Sequence, residues 1–215
     1  MGKISKDTIK DVGVRKYFYI SFKNNLSREV VEGLLQNLAE FSDSEINDDK
    51  LLCYFANWLG EFEQKDLYEE FVLRFIDSLR NREEIIIHFN DYDGSTIIRH
   101  EIPLSNAVCR KSLPVTKALV FLGADVSSVW NSGLIQKAGS MISSPAADYV
   151  KNVTSLHSIL KKNEVPEKDF FRYYNNDACV ELARKNQIDV GIHDLNKVLD
   201  EFKIINSRQN LNIIL

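Results

Sequence analysis

Three cysteines and four histidines are the side chains of this chain best suited to chemistry, and their spacing gives them little to work with. A cysteine nucleophile needs a base within hydrogen-bond reach and an electropositive setting that holds the proton off sulfur. Cys53 stands near the start of a helical pattern, but Leu51, Leu52 and Tyr54 around it point to packing. Cys109 and Cys179 have equally apolar helical neighbours. The thiols are far apart and odd in number, which fits free buried cysteines in a reducing compartment better than a disulfide framework.

Metal and phosphate chemistry find no better footing. No C-x-x-C or H-E-x-x-H spacing occurs, and His88 and His100 fall on opposite-facing positions of an expected hairpin. Among nine glycines there is no G-x-x-x-x-G-K and no G-x-G-x-x-G. Adjacent acids such as Asp48-Asp49 and Glu69-Glu70 read as helix caps and solvated faces rather than a glycosidase pair. The expectation is therefore no catalytic residue, no metal and no cofactor.

The elements around these residues are mainly helical. At 215 residues, 44% hydrophobic and 27% charged, the composition is that of an ordinary globular protein. A formal net charge of −4 supplies no basic excess for phosphates, so nucleic acid is not an expected partner. No apolar run reaches the ~18 residues of a membrane span. The charged N-terminal stretch MGKISKDTIKD does not read as a secretory signal, so a cytoplasmic protein is expected.

Arg28 to Phe41 carries Val30, Val31, Leu34, Leu35, Leu38 and Phe41 on one stripe of helical period. Asp48 and Asp49 are N-cap candidates for a second helix, and Lys65 to Leu79 repeats the pattern. The aromatic run Lys16 to Phe22 suits a strand or a buried extended arm. Ile85–Asn90 and Thr96–Ile102 are β-rich and meet at Asp93-Gly94, a type I′ hairpin signal. Gly139 to Ala147 reads as a loop, Pro166 as the start of a short aromatic helix, and Asp177 to Asn186 as another helix. Asp194 is the expected cap of a last helix, with Leu195, Val198, Leu199, Phe202 and Ile205 toward the core.

One segment carries a family pattern. Pro103, Leu104, Ala107, Val115, Leu119, Gly123, Ala124, Asp125 and Val126 stand where T-P-L-H-x-A, a short turn and V-x-x-L-L-x-x-G-A-D-V-N want them, so Asp91 to Gly133 resembles an ankyrin repeat. Gly94 to Gly133 is 39 residues, a ~33-residue period plus six, and the excess falls in the expected hairpin. Thr154-Ser155-Leu156-His157 reads as a displaced T-P-L-H.

The resemblance implies a mostly α fold: a degenerate ankyrin-repeat-like helical array with one enlarged β-hairpin and helical caps at both ends. Residues 1–80 form the N-terminal cap, 81–162 the core with its finger, and 163–215 the C-terminal cap, as one continuous unit. It also implies a non-catalytic protein–protein interaction module. Finger tips and the exposed side of the first helix would meet the partner, through Asp91, Tyr92, Asp93, Asn106, Arg110, Trp130 and Asn131. The Asn-, Ile- and Lys-rich composition would suit an effector of an intracellular bacterium, translocated to bind a host protein. The alternatives are an inhibitor or immunity protein that blocks an enzyme, and a small enzyme with a cysteine nucleophile.

Overall fold

The computed structural model describes residues 14–41, 48–79, 103–126, 144–186 and 189–211. Among them are ten α-helices, one 3-10 turn and no strand. The expected hairpin, Ile85 to Ile102, lies outside the described residues. The chain divides into two compact units, Met1–Met141 and Ile142–Leu215.

In the first unit α1 runs Val14–Asn25, α2 Arg28–Phe41, α3 Asp48–Asn57, α4 Lys65–Leu79, α5 Pro103–Cys109 and α6 Leu113–Leu122. The run Lys16 to Phe22 is helical, which corrects the extended reading. As a strand it would put Phe18, Ile20 and Phe22 on one face. In α1 the i, i+4 pair Phe18 and Phe22 is buried, while Ile20 points away and is 39% exposed.

Phe22 is the centre of an aromatic core. Its ring lies 4.8 Å from Phe71, 4.9 Å from Tyr68 and 6.1 Å from Phe55. Phe55 in turn meets Phe71 at 5.0 Å and Phe75 at 5.2 Å, edge to face. Such pairs add about 0.5–1.5 kcal/mol each beyond the area they bury. The one polar tip within this cluster, the Tyr68 hydroxyl, donates to the Phe55 carbonyl at 3.0 Å. Burial, with Glu61 as a second cause, pushes the Tyr68 phenol well above its ordinary pKa.

The α5–α6 pair shows how local sequence shapes this unit. Ser112 caps α6, its Oγ accepting from the Val115 N–H at 3.3 Å and donating to Glu69 Oε2 at 2.6 Å. One hydroxyl thus satisfies a helix end and ties α6 to α4. At the other end Gly123 has φ 105°. The Gly123 N–H reaches the Val120 carbonyl at 3.1 Å and the Ala124 N–H the Leu119 carbonyl at 3.0 Å, a Schellman stop. Ala107, Val115 and Leu119 are fully buried. The segment is a helix–turn–helix ended by a left-handed Gly123, with Ala107 and Leu119 buried. A helical hairpin of this kind belongs to many helical folds.

In the second unit α7 runs Pro145–Lys162, a 3-10 turn Glu167–Asp169, α8 Phe171–Tyr174, α9 Asp177–Asn186 and α10 Ile192–Leu211. The expected loop ends early. Ser144 Oγ accepts from the Ala147 N–H at 3.2 Å, and Pro145 takes the first helical position, where its missing N–H costs nothing. The 3-10 turn and α8 take the place of the single aromatic helix expected after Pro166. α10 begins at Ile192, so Asp194 sits inside its first turn instead of capping it.

α7 packs on α9, α9 on α10, and α8 on both α9 and α10. Val150, Val153, Leu156, Leu160, Cys179, Ala183 and Leu195 form the buried centre of these helices. α7 lies with α8, α9 and α10 in the second unit. Thr154-Ser155-Leu156-His157 lies inside α7, where no turn can start, so it does not open a helix as T-P-L-H would.

Candidate interaction surfaces

The residues expected to meet a partner fare differently. Asp91, Tyr92, Asp93, Trp130 and Asn131 lie outside the described residues. Asn106 is 5% exposed and turned inward, its amide donating to the Cys53 carbonyl at 3.4 Å. The side of α5 that was expected to be free is covered by α3, so Asn106 is a packing residue. Arg110 is exposed, but its guanidinium donates to Asn57 Oδ1 at 3.2 Å and to Glu61 Oε1 at 2.9 Å. It tethers the end of α5 to the turn after α3.

The thiols are set against nucleophilic use. Burial raises the Cys109 pKa, partly offset by Arg110, and pushes the Cys179 thiol up to about 11. Cys179 sits in the unit centre with its sulfur 3.6 Å from the Leu195 carbonyl oxygen. Both shifts run opposite to the lowered pKa of an activated cysteine. Cys53 is buried in α3 beside Leu52 and Phe55. His157 is half-buried, packing edge-on against Phe170 with 4.8 Å between ring centroids. Among the described residues no group of His, Cys, Asp or Glu has the arrangement to hold a metal ion.

The surface that sequence reasoning missed is the distal half of α10. Leu195 and Leu199 are buried, as the periodic stripe requires. Phe202 and Ile205, the next residues of that stripe, are 40% and 54% exposed, which corrects their assignment to the core. Ile204, on the opposite side of the helix, is 51% exposed. The cause is length. At ~1.5 Å per residue α10 spans about 30 Å, whereas α9 spans about 15 Å and α8 about 6 Å. α10 is thus twice as long as α9, on which it packs. Polar neighbours Asp200, Glu201 and Lys203 border the apolar side chains, with Lys203 Nζ 3.1 Å from Asp200 Oδ1.

No family model, curated protein or solved structure matches this chain. No helix among the described residues is long and apolar enough to cross a membrane.

Proposed function

We propose that this protein is a non-catalytic protein-interaction module, with the distal half of α10 as a contact element. The observation that carries this reading is the exposure of Phe202, Ile204 and Ile205 within four residues of one helix. Single exposed apolar residues are ordinary on protein surfaces, but here three lie close together on one helix end, apolar surface that burial against another protein would take out of water. Such a segment suits the apolar groove of another protein, anchored by an aromatic and a branched side chain. The ankyrin resemblance of Asp91 to Gly133 supports the same class of function. The raised thiols of Cys109 and Cys179 weigh against the cysteine-enzyme alternative.

The test is affinity capture with the full chain and with a Phe202→Glu, Ile205→Glu double variant whose helix content by circular dichroism is unchanged. A protein captured by the parent and released by the variant, then reconstituted with both purified components, is the expected result. Equal binding of that purified protein to parent and variant would remove α10 from the interface.

A further inference from the structure

A second surface lies in the C-terminal unit and is unlike α10 in chemistry. Along α7, Lys151, Ser155, Ser158 and Lys162 follow the i, i+4, i+7, i+11 spacing that places them in one row, ~16 Å from end to end. Beside this row an open groove of about 810 Å³ runs between α7 and α9. Ile159 and Ala183 line it as buried residues, and Arg184 of α9 borders it. The groove exists because Ser155, Ser158 and Ala183 are small where longer side chains would fill the space.

Its charge is uneven. Among the described residues that line it, Lys151, Lys162 and Arg184 stand against one carboxylate, Asp148. Arg184 is already bonded to Glu181 on its own helix, and Lys161 is paired with Glu167. Lys151 and Lys162 have no ion-pair partner among the described residues, so a cation stands uncommitted at each end of the row. The hydroxyls along it are committed in a definite sense. Ser155 donates to the Lys151 carbonyl at 3.2 Å and Ser158 to the Thr154 carbonyl at 3.2 Å. Their oxygens are left as acceptors.

We infer that this groove binds an extended acidic peptide segment. Cations at the two ends suit carboxylates set well apart, and hydroxyl acceptors between them suit peptide N–H groups. A phosphate cluster would want donors along the whole row and would gain nothing from acceptors in the middle. An extended chain of five or six residues, at ~3.3 Å each, spans the row. The inference is independent of α10, since it uses none of its residues.

The experiment is fluorescence anisotropy of the full chain with a fluorescein-labelled hexapeptide of alternating Glu and Asp at low salt. Saturable binding that weakens as salt rises is expected. In a Lys151→Gln, Lys162→Gln variant the affinity should fall by about fivefold or more, in line with lost charge complementarity. Ser158→Trp, at an exposed position, fills the groove without changing charge and should weaken binding comparably. Phe202→Glu with Ile205→Glu should bind the peptide like the parent. Equal affinity in the parent and both groove variants, or no saturable binding at millimolar protein, overturns the inference. So does displacement of the peptide by an oligothymidylate of equal charge at lower concentration, which would assign the groove to nucleic acid.

Discussion

The α5–α6 hairpin and the distal half of α10 carry hydrophobic residues at helical spacing equally clearly, yet one pattern is buried and the other is not. In the hairpin, Ala107, Val115 and Leu119 are fully covered by neighbouring helices. In α10, Phe202 and Ile205 extend the stripe of Leu195 and Leu199 and remain about half exposed. Periodicity assigns residues to a face. Whether that face is covered depends on the lengths of elements elsewhere in the chain. The hairpin also carries a start signal, Ser112, and a stop signal, Gly123, that bound α6, whereas α10 runs on to twice the length of α9.

The comparison predicts its largest effect at Leu119. Leu119→Ala removes three of the four side-chain carbons in a fully buried site, and should destabilise by about 2–5 kcal/mol through lost burial and a residual cavity. Urea unfolding read by tryptophan fluorescence is a suitable probe, because Trp58 is buried in the first unit. A loss under about 0.5 kcal/mol, the scale of surface substitutions, would mean that the hairpin is no better packed than the end of α10.

The stop signal should matter less. At φ 105° any residue with a Cβ is strained, so Gly123→Ala should cost about 1–2 kcal/mol while leaving the hydrogen bonds of the Schellman stop intact. The same urea titration measures it. No change would show that Gly123 follows the fold instead of helping to set it.

What the sequence made legible divides along the same line. The spans Arg28–Phe41, Lys65–Leu79 and Asp177–Asn186 coincide with α2, α4 and α9, because each combines a helical stripe with a polar start. Lys16 to Phe22 misled because aromatic and β-branched residues suit strands, and only burial of Phe18 and Phe22 against Phe55 and Phe71 decides for a helix. Gly139 to Ala147 misled because Ser144 and Pro145 serve loops and helix starts alike. Asn106 looked exposed because a polar residue on a short helix usually is, but here it pairs with a carbonyl of α3. The α10 surface had no local signal at all, since its residues match a core stripe. The α7 row was in the sequence as Lys151, Ser155, Ser158 and Lys162, but the groove beside it needs Ala183 and Arg184 from a helix more than twenty residues on.

The smallest effect on stability, and the sharpest contrast with Leu119, is expected at the end of α10. Alanine at Phe202 and Ile205 removes side chains that are 40% and 54% exposed, so each loses only about half the buried area that a core side chain would. Both positions are helical, and alanine is the better helix former at each, which offsets part of what burial is lost. The double variant should therefore change stability by no more than about 0.5–1 kcal/mol, read as thermal loss of helical circular dichroism. Binding to an identified partner should fall by more than that, about 2 kcal/mol, if these side chains are its anchors. The two readouts separate the explanations for the exposed stripe. A large loss of stability with binding intact would show that Phe202 and Ile205 pack within this chain after all. A small loss of stability with a large loss of binding would show that the uncovered half of the helix is completed by another protein.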